Sequence, residues 1–303
     1  MPNLSQILQA VSGQPLAVDP RFLATFSGLM RQRSTGRRFT AEEFHAELGV
    51  PMAAERGPSR SRPAGIAVIP VYGVVSNRGR SMGASAEAIG AEFQAALADD
   101  RVDGILFDVD SPGGTVTGVP ELAELIRANR KVKPTMSIAN GLAASAGYWI
   151  ASAADEVWMA PSSSVGAIGV YMMHEDLSKA HEIAGVKVTA ISAGRFKTEG
   201  ADFAPLSDET REFLQARVEE AYSWFVKDVA AGRRDTQANV RAGYGEGRVL
   251  HAAAALKAKL VDRIGTFDQA LEHLSQRVNT PRRGARADIL RERMALDAAA
   301  AGL

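Results

Sequence analysis

Three short stretches of this chain concentrate residues able to do nucleophilic chemistry. The first is Asp110-Ser111-Pro112-Gly113-Gly114, at the end of the apolar run VDGILFDVD (102–110). Two adjacent glycines let the backbone turn and bare N–H groups that can hold an anion or a developing oxyanion. A tight turn between strand and helix would use the same residues. The second stretch is Ala143-Ala144-Ser145-Ala146-Gly147-Tyr148-Trp149. Small neighbours at a helix start leave the Ser145 hydroxyl uncrowded, able to attack a carbonyl or, equally, to cap the helix. Gly-x-Ser-x-Gly does not occur at Ser145, so an α/β-hydrolase elbow is not supported.

A serine alcohol needs a base. His45, His174, His181, His251 and His273 form no HExxH, no zinc spacing and no recognisable triad context. A lysine serves when a desolvated pocket disfavours its ammonium form. Lys131, Lys133, Lys179, Lys187, Lys227, Lys257 and Lys259 sit in polar, surface-like contexts. Lys197 differs, because it lies in the Gly-bounded loop 194–200 (GRFKTEG), of the sort that holds functional groups.

Alternating apolar runs and amphipathic segments must position these residues. From Gly65 the spacing predicts strands at 65–75, 102–110, 134–139, EVWMA (156–160), AIGVYMM (167–173) and VKVTAIS (186–192). It predicts helices after Ser85 (Ala86, Ile89, Phe93, Leu97), over 117–130, from about Ala144 and from Ser207. That alternation argues for α/β architecture with parallel strands and crossover helices. Residues 1–52 read as a helical extension, with Leu4, Ile7, Leu8 and Val11, then Phe22, Leu23, Phe26, Leu29 and Met30, at helical spacing, and Thr40 as a cap. Residues 53–64 (AAERGPSRSRPA) read as a linker and the Arg- and Ala-rich 277–303 as a flexible tail.

Composition narrows the function classes. The 303 residues are 46% hydrophobic and 23% charged, enough apolar material for a full core. Thirty-five Lys+Arg balance thirty-five Asp+Glu, so no net field steers the molecule toward nucleic acid or anionic lipid. Cysteine is absent, which removes disulfide scaffolds, cysteine nucleophiles and thiolate metal sites. No cofactor or metal is expected. The longest apolar runs fall far short of the ~20 residues of a membrane span, and MPNLSQILQAVSGQPL lacks a secretory pattern. A cytoplasmic location is the expectation.

Five motifs in order, DSPGG (110–114), AASAGYWIA (143–151), SSSVGAIGV (162–170), GRFKTEGADFAPLS (194–207) and GRVLHAAAALKAKLVDRIG (247–265), resemble those of the S49 serine peptidases, the signal peptide peptidase A-like enzymes. The resemblance covers about 65–276 and implies a ClpP/crotonase-like α/β fold with the helical N-terminal extension added. It implies a Ser–Lys dyad, Ser145 as nucleophile and Lys197 as general base, with an oxyanion hole from the amides of Gly114 and Ala146 and with Gly113 shaping the turn. It also implies a ring-like homo-oligomer in which Ser and Lys meet within or between subunits. Lys259 and Ala146 stand where the family commonly has glycine. PLAVDPRFLATFSGLMRQR (15–33) and ADFAPLSDETREFLQARV (201–218) resemble phage and prophage head-maturation peptidases of the minor capsid protein C type. That branch implies processing of capsid or scaffold polypeptides in the host cytoplasm or prohead, with extended substrate pairing along an exposed strand edge beside DSPGG. Clearance of signal-peptide-like peptides, a crotonase-type acyl-CoA enzyme and a non-catalytic capsid scaffold are the alternatives.

Overall fold

The structure, a computed structural model, describes residues 14–34, 36–48, 65–79 and 83–278. The expected linker 53–64, the first helix around Leu4–Val11 and the tail from 279 lie outside the described residues.

Strands β2 (Ile66–Tyr72), β3 (Gly104–Ser111), β5 (Thr135–Ala144), β6 (Glu156–Met159) and β9 (Arg263–Ile264) lie side by side in that order, all parallel. Alternation along β3 sends Ile105, Phe107 and Val109 to one face and Leu106 to the other. The first face packs on helices α3 (Ala86–Ala98), α4 (Val119–Ala128), α5 (Ala146–Ser152) and α7 (Asp208–Arg233). The opposite face packs on α10 (267–278) through Phe267, Ala270, Leu271 and Leu274. The result is a mixed α/β layer structure with a mostly parallel sheet, as the alternation required.

Local chemistry explains where the helices begin. Ser85 and Ser207 accept from the amides of Ala88 and Thr210, and Asp208 and Glu209 add negative charge to the first turn of α7. Thr40 and Glu43 form a reciprocal capping box at α2 (Ala41–Leu48), each side chain bonding the other's amide. Helix α1 (Pro20–Ser34) buries Leu23, Phe26, Leu29 and Met30.

Three expectations are corrected. The short strand after β6 is β7 (Ser164–Gly166), and the run 167–173 is irregular apart from a single bridge at Tyr171. VKVTAIS (186–192) forms no strand; it runs exposed after α6 (Ser178–Ile183), so its alternation has no sheet to bury against. Conversely, Leu16–Val18, in the part read as helical, is a strand, β1, paired antiparallel with β4 (Gly113–Thr115). Prolines at 15 and 20 keep this segment out of a helix interior.

Past β7, chain pairing reverses: β8 (Val249–His251) runs antiparallel to it and leads into α9 (Ala252–Lys257). α8 (Gln237–Gly243) packs beside α7. Lys259, where the resemblance expects glycine, adopts φ 62, the left-handed region in which glycine is free of strain.

α5 is held by α7. The Trp149 ring stacks on Phe225 with centroids 4.2 Å apart, and its indole N–H donates to Asp228 at 2.9 Å. Truncating Phe225 to Ala removes a fully buried ring and leaves a cavity under Trp149. A loss of about 3–5 kcal/mol in unfolding free energy is expected by urea titration, with Trp149 fluorescence shifting to the red.

Candidate active site

The site grows out of an irregularity between β3 and β5. Their register advances from Val109↔Ala139 to Ser111↔Ala143, two residues on one strand against four on the other. The surplus Asn140-Gly141 bulges outward, and the Asp110 carboxylate fills the gap by accepting the Leu142 amide at 3.0 Å. Burial pushes the Asp110 carboxyl upward, the Leu142 bond opposes this, and nearby Asp108 adds to the rise. Beyond the bulge β5 changes neighbour. Met136–Ala139 pair with β6, whereas Leu142–Ala144 pair with β7. On its other side Ala143 still pairs with Ser111 of β3, and Ser145 follows directly after Ala144.

Ser145 is 1% exposed and adopts φ 54, ψ −119, strained for a residue with a side chain. Its amide donates to Gly166 O at 2.8 Å, and its carbonyl accepts from Trp149 N at 2.9 Å, so both ends of the strained unit are tied. Its hydroxyl makes no cap hydrogen bond to α5. Of the two sequence readings, capping is therefore not what this side chain does. Ala146, fully buried, opens α5, where the first amides have no intrahelical acceptor.

The glycine turn lies against the serine. Gly113 has φ 100, and a Cβ there would collide with the Ala17 carbonyl oxygen and sit 2.8 Å from Ser145 Cβ. A Cβ on Gly114 would enter the Val75 backbone, 2.6 Å from its carbonyl carbon. Both positions are closed to any other residue by close backbone approach. The buried Ser111 hydroxyl braces the turn, donating to Gly73 O at 2.6 Å and accepting the Gly113 amide at 3.1 Å. The Gly113 amide is thus already engaged.

Lys197 is exposed, whereas Ser145 is buried. Lys197 lies in an exposed turn whose amide donates to Gly194 O at 3.1 Å. Arg195 anchors that turn by pairing with Glu209 at 2.8 Å and covering the Phe196 ring. The structure brings together Gly113, Gly114, Ser145 and Ala146 and leaves Lys197 on the surface. The strand edge beside the turn, expected to be open, is occupied by β1. Leu16–Val18 and Tyr171 are the local residues that sequence reasoning missed. The only signal was a three-residue apolar segment bounded by prolines.

Fold and site together define an α/β protein that presents a backbone-strained serine against a two-glycine turn. Residues 127–280 match the family model described as Peptidase family S49. The chain is 34% identical to capsid assembly protease C of Escherichia phage lambda, over 76% of this chain and 56% of the relative. It is 31% identical to head-tail preconnector protein GP5 of Enterobacteria phage P21, over 93% and 59% respectively. It is 36% identical to a putative protease of Methanocaldococcus jannaschii, over 60% and 58%. The chain belongs to peptidase family S49. It spans just over half the length of these relatives.

Replacing Ser111 with Ala leaves the Gly113 amide and Gly73 carbonyl without their buried partner. A loss of about 1–3 kcal/mol in chemical denaturation is expected, with the glycine turn as the first region to gain hydrogen exchange.

Proposed function

We propose that this chain is a serine endopeptidase that processes capsid or scaffold polypeptides during phage head maturation, by a dyad of Ser145 and Lys197. The observation that carries the reading is Ser145 itself: buried, held at positive φ, its hydroxyl unused by its own helix and its Cβ against the Gly113 turn. Strain persists only where surrounding structure over-determines it, and it concentrates at functional sites. Membership of the family and likeness to a phage capsid assembly protease supply the substrate class. The ClpP/crotonase-like form of the fold is part of the proposal, supported by β5, which exchanges β6 for β7 as its neighbour shortly before the nucleophile. So is the division into an extension (1–52), linker (53–64), peptidase domain (65–276) and tail (277–303).

In this mechanism the uncharged Lys197 amine takes the Ser145 proton and the alkoxide attacks a peptide carbonyl carbon. The amides of Gly114 and Ala146 donate to the oxyanion. The leaving amine receives the proton from Lys197, and a water deprotonated by the same lysine hydrolyses the acyl-enzyme. The exposed position of Lys197 supports a dyad assembled between copies of the chain in a homo-oligomer. In the stretch of chain that leads to it Ile183 is 89%, Ile191 99% and Phe196 50% exposed, apolar surface that a second copy would cover.

A fluorophosphonate probe is expected to label Ser145, which an acyl-CoA enzyme of related fold would not require. Ser145→Ala and Lys197→Ala should each lose nearly all turnover, since members of one catalytic unit fail together. Wild-type activity should rise from neutral to alkaline pH because only the free amine accepts a proton. Mixing the two inactive variants should restore a fraction of the activity through mixed interfaces. Normal cleavage by Lys197→Ala would reject the dyad. Continued inactivity of the mixture, with each variant still assembling as wild type, would place both residues in one subunit.

A further inference from the structure

Leu16–Val18 lies between two backbones. On one side Leu16 exchanges hydrogen bonds with Tyr171, its amide donating to Tyr171 O at 2.9 Å and its carbonyl accepting the Tyr171 amide at 3.1 Å. On the other side β1 pairs with β4 in the register Leu16↔Thr115, Ala17↔Gly114 and Val18↔Gly113. Because Leu16 spends its polar groups on Tyr171, strand alternation turns the amide and carbonyl of Ala17 toward Gly114. The Ala17 carbonyl oxygen and Ser145 Cβ both crowd the space above Gly113. An extended segment of this chain therefore presents a carbonyl to the glycine turn beside the nucleophile, in the manner of β-augmentation by a peptide.

Side chains agree with that position. Ala17 is fully buried and packs with the main core, in the cluster that holds Ala143 and Ala146. Leu16 and Val18 point the other way, into a separate cluster with Leu23, Phe26 and Met30 of α1 and with Tyr171. The ends are fastened too. The Asp19 amide donates to Pro112 O at 2.7 Å, and the Asp19 carboxylate accepts from the Arg21 backbone and guanidinium. Burial tends to raise the Asp19 carboxyl, but the Arg21 bonds and charge outweigh it and hold the group below the ordinary aspartate range. Burial, with the Asp19 charge, pushes the Tyr171 hydroxyl up to about 12, so it stays neutral beside the segment.

We propose that Leu16–Val18 is an autoinhibitory strap: a built-in peptide that occupies the strand-pairing channel between Gly113–Thr115 and Tyr171, covers Ser145, and must leave before a polypeptide substrate can enter. This inference rests on the peptidase reading of Ser145. It identifies the bound form of a substrate as an antiparallel strand with a small side chain opposite Gly114, since Ala17 fits there without space for a larger group. The hydrophobic cluster on α1 supplies the closing force, and displacement of α1 with β1 opens the channel.

The test exploits the absence of cysteine. Directly opposed, hydrogen-bonded antiparallel residues have Cα atoms about 5.5 Å apart, within disulfide range, so Leu16→Cys with Tyr171→Cys in the full chain can lock the strap. Peptide cleavage and fluorophosphonate labelling of Ser145 are measured oxidised and reduced. In parallel, Ala17→Asp opens the strap by placing a charge in the core, and Asp19→Asn loosens its fastening without altering the channel. Circular dichroism checks that each is folded. Oxidation should silence both readouts and reduction restore them. Ala17→Asp should raise kcat/KM and labelling rate about tenfold or more, as expected when the competent state becomes the major one, with Asp19→Asn intermediate. Equal rates in oxidised, reduced and wild-type protein, with Ser145→Ala inactive, would overturn the strap and leave the peptidase standing. Absence of cleavage and labelling in every form would remove the peptidase reading and the strap with it.

Discussion

Two residues without side chains allow four stretches of backbone to meet at one point. Gly113 and Gly114 touch the carbonyl of Ala17, the backbone of Val75 and the Cβ of Ser145, and any methyl group there would drive these apart. The rest of the site is arranged to keep this contact. Ser111 ties the turn to Gly73 from behind, and Asp110 fills the bulge in β5 by accepting the Leu142 amide. The stack of Trp149 on Phe225 fixes the helix that follows Ser145. The strain at Ser145 is sustained by this frame, whose parts are buried apolar contacts and short-range backbone bonds.

The sheet serves the same end by changing partners along one strand. The lower half of β5 belongs to a five-strand parallel array, an ordinary scaffold covered by helices on both faces. Its upper half keeps β3 on one side, through Ser111↔Ala143, but takes β7, and through it β8, on the other. The irregularity at Asn140-Gly141 marks the change of neighbour, and three paired residues, Leu142–Ala144, lead from it to the end of the strand, where the chain turns into a helix. Ser145 sits at that strand-to-helix junction, at φ 54.

Against this rigid centre stands the exposed segment around Lys197. It has no sheet partner, its apolar residues face outward, and its turn is organised by surface contacts of Arg195 with Glu209 and Phe196. A single copy of the chain thus holds a buried serine and glycine turn flanked by its own Leu16–Val18, with Lys197 in an exposed turn.

Periodicity and composition made the parallel α/β core legible. β2, β3, α3, α4 and α7 lie where alternation of two or 3.6 residues put them, because those segments bury one face of a regular element. The serine and the glycine turn were also legible, since small residues and paired glycines are local requirements of close backbone approach. Three things were decided only by tertiary structure. Leu16–Val18 is too short to show a period, and it becomes a strand only because β4 and Tyr171 offer it unpaired edges. VKVTAIS alternates as a strand should, yet it pairs with no strand and its residues lie exposed. Whether Ser145 caps a helix or not depended on its φ of 54, which neighbouring types do not specify and which is held between backbone bonds to Gly166 and Trp149. Sequence sets what each segment prefers; the partner across space decides which preference is met.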